Sequence, residues 1–190
     1  LLPLLRSRGE HRIDTLVLSH RDADHVGGAA ALLAQVHVGE LRSSLEAGHP
    51  LLAGRFNVPC VAGQRWDWDG VQFEFLHPLT ATPAPGTKPN AQSCVLQIRA
   101  ADGLSALLTG DIEAPQEQAL VERLGAALRS DILLVPHHGS RTSSTAAFLK
   151  AVAPRVAVIQ VGYRSRFGHP HQAVLSRYVE TGITVQRTDQ

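Results

Sequence analysis

Four short apolar runs in this chain each end on histidine or aspartate. Residues 13–18 (IDTLVL) lead into SHRDADHVGG. Residues 104–109 (LSALLT) lead into Gly110-Asp111, residues 132–135 (ILLV) into PHHGS, and residues 156–161 (VAVIQV) into GYRSRFGHPH. Such runs read as buried strands. If they present the same sheet edge, their polar tips meet at one place. A fold that satisfies this must alternate strands with connections that return the chain to the same side.

The remaining pattern agrees. Residues 26–36 are rich in Ala and Leu and predict a helix, 38–42 a short strand, and 48–64 an irregular stretch. RWDWDGVQFEF (65–75) alternates around Asp69-Gly70, a hairpin with Val71, Phe73 and Phe75 facing the core. The Pro- and Thr-rich segment 77–90 is a long loop and a candidate functional one. Strands over 93–99 and 104–109 form a second hairpin. Ala114–Leu124 is an amphipathic helix with Pro115 in its first turn and Gly125 past its end. Helix 144–152, strand 156–161, helix 171–181 and strand 183–187 complete a layered α/β arrangement. The 190 residues suit one domain, 1–190.

The first loop carries His20, Asp22, Asp24 and His25 as H-x-D-x-D-H. Alternate residues can direct His20 and Asp22 to one ion, and Asp24 and His25 to a second. Imidazole and carboxylate suit zinc or manganese. Asp111 either caps the helix that follows or bridges two ions. Adjacent His137 and His138 are seldom needed for packing; one can ligate metal and the other contact substrate. His169 is a further site candidate, whereas His171 is placed to start a helix. His11, His37, His49 and His77 lack such context and read as surface or structural, and Trp66 and Trp68 as hairpin packing. Ser19, Ser140 and Ser143 lie near histidines, but no G-x-S-x-G elbow is present. Phosphate-binding glycine motifs are missing as well.

A net charge of +1 argues against nucleic-acid binding by bulk charge. No apolar stretch reaches the roughly 18 residues of a membrane span. A secretory leader and an initiator Met are also absent, so the chain reads as a piece of something longer. Cys60 and Cys94 make no C-x-x-C pattern. They read as buried small apolar side chains, with a disulfide as the alternative.

SHRDADHVGG resembles the H-x-H-x-D-H signature of the metallo-β-lactamase superfamily. With KPNAQSCVL, LLTGD, LLVPHHGSRTSS and RFGHPH, in that order, it is similar to the ComEC-type hydrolase domain of the DNA-uptake channel of competent bacteria. The resemblance implies a four-layer αββα sandwich with the site at one edge, and opening strands upstream that this chain lacks. It implies one or two divalent cations, Zn²⁺ or Mn²⁺. His20 and Asp22 would hold the first, Asp24, His25 and His138 the second, and Asp111 would bridge. His137 would face substrate, and His169 would bind the phosphate or protonate the leaving group. Two departures stand out: Asp22 replaces the signature's second histidine, and Asn90 replaces a later one, leaving an oxygen-rich first site.

The expected chemistry is metal-assisted phosphodiester hydrolysis of a DNA strand, single-stranded by the resemblance. Catalysis would fall to His137, His169 and Asp24, and substrate binding to Lys88, Asn90, Ser93 and Arg141, with Arg164 and Arg166 on the phosphates. Other phosphodiesters or esters, or a catalytically silent DNA-guiding module, are the alternatives. The resemblance also implies a monomeric soluble domain at the extracytoplasmic face of the bacterial inner membrane, joined to a membrane channel.

Overall fold

The computed structural model describes every residue except Arg164 and Arg166. A short helix α1 (Leu2–Ser7) precedes β1 (Arg12–Leu18). Helices α2 (Ala23–Val26) and α3 (Ala29–Gln35) lead to β2 (His37–Ser43), and β3 (Asn57–Pro59) follows. These three strands form a parallel sheet in the order β1-β2-β3.

A larger sheet holds β4 (Arg65–Trp68), β5 (Val71–His77), β6 (Val95–Arg99), β7 (Ser105–Leu108), β8 (Ile132–Leu134), β9 (Val156–Ile159) and β10 (Thr184–Arg187). Its order is β10-β9-β8-β7-β6-β5-β4. Strands β4 to β7 are antiparallel, and β7 to β10 are parallel. The parallel half is wound through α4 (Ala114–Leu124), α5 (Ala146–Val152) and α6 (Gln172–Glu180). Each crossover returns the chain, so β7, β8 and β9 deliver their carboxyl ends to one edge.

Side-chain alternation builds the layers. On β1, Leu16 and Leu18 pack with Ala29 of α3, while Val17 joins Phe75, Leu96 and Leu108 of the large sheet. On β7, Leu108 enters that inter-sheet core and Leu107 points the other way, to Leu120, Phe148 and Tyr178 of the helices. Three apolar clusters therefore separate helix, sheet, sheet and helices, the expected αββα order.

Several local expectations need correction. The helix over 26–36 is two helices, broken at Gly27-Gly28, and the first begins at Ala23. Asp24 and His25 thus sit on a helical turn whose His25 and Val26 N–H groups bond the Asp22 carbonyl. The irregular stretch 48–64 contains β3, which is short and ends in proline. Thr145 caps α5, so that helix starts at Ala146 rather than 144. Cys60 and Cys94 are a disulfide, not free buried thiols. Its Cα atoms lie 5.8 Å apart across 34 residues of sequence, a proximity only the paired sheets create. Cys60 N–H bonds Ser43 of the small sheet, and Cys94 precedes β6, so the bridge joins the two sheets.

A buried carboxylate secures the loop after β8. Glu117 of α4 accepts the N–H groups of Ser144 (2.5 Å) and Thr145 (2.8 Å). Arg177 of α6 donates to the Ser143 and Ser144 carbonyls, and Tyr178 meets the Ser144 hydroxyl. Burial pushes the Glu117 carboxyl up from its ordinary range. Glu117→Ala strands two buried donors and is expected to cost about 2–5 kcal/mol in urea unfolding, with Glu117→Gln in between. Reducing the disulfide, or Cys60→Ala with Cys94→Ala, is expected to cost about 2–4 kcal/mol on the same assay.

Candidate metal centre

Asp111, one residue past the β7 turn, is the hub. Its side chain is buried, and four imidazole Nε2 atoms approach it: His25 at 3.0 Å, His138 at 3.4 Å, and His20 and His137 each at 3.9 Å. Asp24 stands at 3.3 Å from His138 Nε2 and 3.9 Å from His25 Nε2. The donor atoms of Asp24, His25, Asp111 and His138 all lie within 4.8 Å of one another. Asp22 is 3.6 Å from His20 Nε2 on the neighbouring side. Three separate chain segments supply these groups, as parallel strand ends allow.

Tautomers follow from the outer partners. His138 Nδ1 lies 2.7 Å from the Gln160 carbonyl, which can only accept, so Nδ1 carries a proton and Nε2 is the atom turned toward Asp24 and Asp111. Ser19 Oγ sits between His20 Nδ1 (3.0 Å) and His25 Nδ1 (3.1 Å), and Ser93 Oγ lies 3.2 Å from His20 Nδ1. Every one of these rings is tethered through Nδ1 and turns Nε2 inward. The Nε2 atoms of His20, His25 and His138 are buried and make no hydrogen bond. Buried polar atoms are seldom left so. Three orphan Nε2 atoms aimed beside a buried carboxylate, with mixed nitrogen and oxygen donors, fit a divalent cation.

The electrostatics agree. Burial would raise Asp111, but its contacts with His138 and His25 hold it well below the usual carboxylate range. Burial and neighbouring His25 push His20 down to about 4, so it is neutral at physiological pH. Contact with Asp111 pushes His138 up to about 9 despite its burial. Without a cation, this contact favours a proton on His138 Nε2, beside Asp111.

Backbone conformation is spent here as well. His137 (φ 50°) and His138 (φ 54°) are consecutive left-handed residues. Each such residue costs on the order of 1–2 kcal/mol, and such strain clusters at functional sites. Gly139 (φ 78°) follows, and a Cβ there would lie 2.7 Å from Pro170. Gly110 (φ 55°) lets the turn pass Ser93, where a Cβ would meet the Ser93 Cβ at 2.8 Å. Ser93 Oγ in turn accepts the Asp111 N–H at 3.0 Å.

Around this core the other expected residues are distributed as follows. His137 Nδ1 faces Glu113 at 3.3 Å, while Asn90 Nδ2 reaches its Nε2 at 3.5 Å. His169 lies beside His137, with ring centres 5.7 Å apart, and its buried Nδ1 makes no hydrogen bond. Burial, then His137, pushes His169 below its ordinary value. Ser93, expected to meet substrate, is instead fully buried, its hydroxyl engaged by Asp111 and His20. Lys88 and Arg141 are exposed. Arg164 and Arg166 lie outside the described residues. Asp111 does not cap α4; Glu113 does, in a capping box with Gln116.

His77 bonds the Ala91 carbonyl, and His49 and His171 cap helical turns. Trp66 stacks on Phe73. Sequence reasoning missed Glu113, Gln160 and Gly110, and weighed Ser19 only as a nucleophile. Gly110 directly before Asp111 was the available signal.

Metal must displace the His138 proton, so uptake releases it. Titrating Zn²⁺ at pH 7.5 in two buffers of different ionisation enthalpy is expected to show about one proton released, and none from His138→Gln. Equal heats in the two buffers contradict this.

Comparison with known proteins agrees with this geometry. The family profile described as "Metallo-beta-lactamase superfamily" matches residues 2–163. The competence protein ComA of Neisseria gonorrhoeae is 41% identical over 191 residues, which is 100% of this chain and 26% of that protein. ComE operon protein 3 of Bacillus subtilis (strain 168) is 34% identical over 200 residues, again 100% of this chain and 25% of the relative. The chain thus spans about a quarter of the length of these curated relatives. Among solved structures, the metallo-beta-lactamase fold protein YhfI of Bacillus subtilis superposes with a TM-score of 0.52 at 11% identity, covering 93% of this chain and 74% of that one. Sequence, sheet order and the histidine-aspartate cluster lead to one assignment: this chain belongs to the metallo-beta-lactamase superfamily.

Proposed function

We propose that this domain is a metal-dependent phosphodiesterase that acts on DNA as part of a competence protein. The observation that carries it is the set of three orphan Nε2 atoms around buried Asp111 at an open sheet edge. Similarity along the whole chain to proteins named for competence and its operon supports DNA as the substrate class. His20 and Asp22 would hold one cation, Asp24, His25 and His138 the other, with Asp111 shared. Bound there, divalent cations supply Lewis acidity and make water a nucleophile at neutral pH.

The chain's own residues supply the rest. Glu113 keeps the His137 proton on Nδ1, leaving Nε2 toward the reacting region, with Asn90 donating to the same atom. This orients His137 as a base or as a partner for a phosphate oxygen. His169, beside His137 at the same edge, is placed to hydrogen-bond a phosphate or leaving oxygen. Asp24, about half exposed, stands where substrate enters. Lys88 and Arg141 are free to meet phosphates further along the strand.

The disulfide suits an oxidising compartment. It supports placement outside the cytoplasm, beside the membrane part of the longer protein. No helix among the described residues is long and apolar enough to cross a membrane.

Asp111→Ala is expected to reduce Mn²⁺- or Zn²⁺-dependent cleavage of labelled single-stranded DNA to the level of the chelated chain. Glu113→Gln is expected to lose about 10–100-fold. Full cleavage by Asp111→Ala excludes the reading.

A further inference from the structure

The metal-binding groups come from two sheets that meet at a narrow junction. His20, Asp22, Asp24 and His25 follow β1 of the small sheet, whereas Asp111 and His138 follow β7 and β8 of the large one. Among the described residues, a single backbone hydrogen bond joins residues 1–59 to residues 65–190, and it runs from the Cys94 N–H to the Ser19 carbonyl at 3.0 Å. The Ser44 hydroxyl donates to the same carbonyl, and its neighbour Ser43 accepts the Cys60 N–H at 2.9 Å. Both halves of the Cys60–Cys94 bridge thus reach Ser19, Cys94 directly and Cys60 through Ser43-Ser44. Ser19 Oγ stands between the Nδ1 atoms of His20 and His25. Next to Cys94, Ser93 Oγ accepts the Asp111 N–H and lies 3.2 Å from His20 Nδ1. Packing alone does not set the spacing of the sheets here. Cys94, Val17 and Leu108 line a cavity of about 220 Å³ together with His25, Asp111 and His138. Side chains that border a cavity lack contact atoms on that side.

We infer that the Cys60–Cys94 disulfide is a positioning device of the metal centre: it clamps the junction that sets His20 and His25 against Asp111, so that the bridged chain binds a divalent cation more tightly than the same fold with the bridge open. This rests on the metal-centre reading above and adds a redox dependence to it. The physical reason is tolerance. Ligand distances in a metal site hold within about 0.2 Å. A slide of one sheet over the other by about an ångström therefore spoils the site, although it leaves each sheet's own hydrogen bonds intact. Groups that orient metal ligands without touching the ion typically set about 10–100-fold in affinity. The coupling is reciprocal. A bound cation must oppose reduction of the bridge by the same factor by which the bridge favours the cation. With glutathione as reductant, two thiols give up their hydrogens to the Cys60 and Cys94 sulfurs as the protein S–S bond breaks, and one glutathione disulfide forms. The centre is thus complete where oxidation closes the bridge and weak where thiols open it.

The test reads metal binding rather than activity. Zn²⁺ is titrated calorimetrically into the bridged chain and into Cys60→Ala with Cys94→Ala, each first shown to be folded by near-UV circular dichroism. The bridge-free chain is expected to bind Zn²⁺ about 10–100-fold more weakly. Leu128→Ala, a truncation in the core between the large sheet and its helices, controls for lost stability and is expected to keep the native affinity. Ser93→Ala keeps the bridge and cuts its link to Asp111. It is expected to lose about tenfold, and it reads the same route if the bridge-free chain does not hold its fold. In a glutathione redox buffer, saturating Mn²⁺ should shift the balance between bridged and reduced native chain toward the bridged form, by the factor that separates the two Mn²⁺ affinities. Equal Zn²⁺ affinity with and without the bridge, native affinity in Ser93→Ala, or an equal loss in Leu128→Ala overturns the inference and leaves the metal centre standing. A bridged chain that binds neither Zn²⁺ nor Mn²⁺ overturns the metal centre itself, and the inference with it.

Discussion

A single buried carboxylate organises this structure. Asp111 sits within 3.9 Å of four imidazole nitrogens drawn from two separate loops. Taking a carboxylate out of water is costly unless charge or hydrogen bonds compensate it. Here compensation comes from the contacts with His138 and His25. The arrangement leaves the Nε2 atoms of His20, His25 and His138 buried without a hydrogen bond. A divalent cation resolves all of these conflicts together: it replaces the His138 proton, binds the Nε2 atoms and neutralises the carboxylates. The left-handed conformations of His137 and His138 belong to the same economy, since local strain persists where its surroundings over-determine it.

The scaffold explains how such a cluster stays in place. Three apolar layers fix the strands, and parallel pairing of β7, β8 and β9 sets their ends side by side. The small sheet must bring the His20–His25 segment to that edge from the other layer. The Cys60–Cys94 bridge sits between the layers, and Cys94 N–H bonds the Ser19 carbonyl just before His20. On the opposite side, Glu117, Arg177 and Tyr178 clamp the loop that follows His138. Covalent, ionic and apolar restraints therefore converge on the same few residues.

Much of this was legible in the sequence, and the reason is local. Apolar runs that stop at His or Asp reveal both a strand and its polar tip, which is why the loop 19–25 and the His137-His138 pair drew notice, while Asp111 alone left a capping role open. The helix over Ala114–Leu124 was readable from its own periodicity, proline and glycine. β3 was not, because three residues ending in proline carry no pattern. The disulfide was undetermined because Cys60 and Cys94 come together only after two sheets stack. The cap of α4 was expected at Asp111 and is Glu113, which also faces His137, a contact no spacing encodes. Ser93 was expected at the start of a strand and toward substrate, but packing against Gly110 draws it inside.

The central claim is that the strand ends form a divalent-cation centre about Asp111. Anomalous diffraction from crystals soaked in Mn²⁺ or Zn²⁺ tests it most directly. A peak within coordination distance of Asp111, with His25, His138 and Asp24 around it, is the predicted result. Peaks confined to outlying histidines such as His11 and His37, with nothing at Asp111, would contradict it.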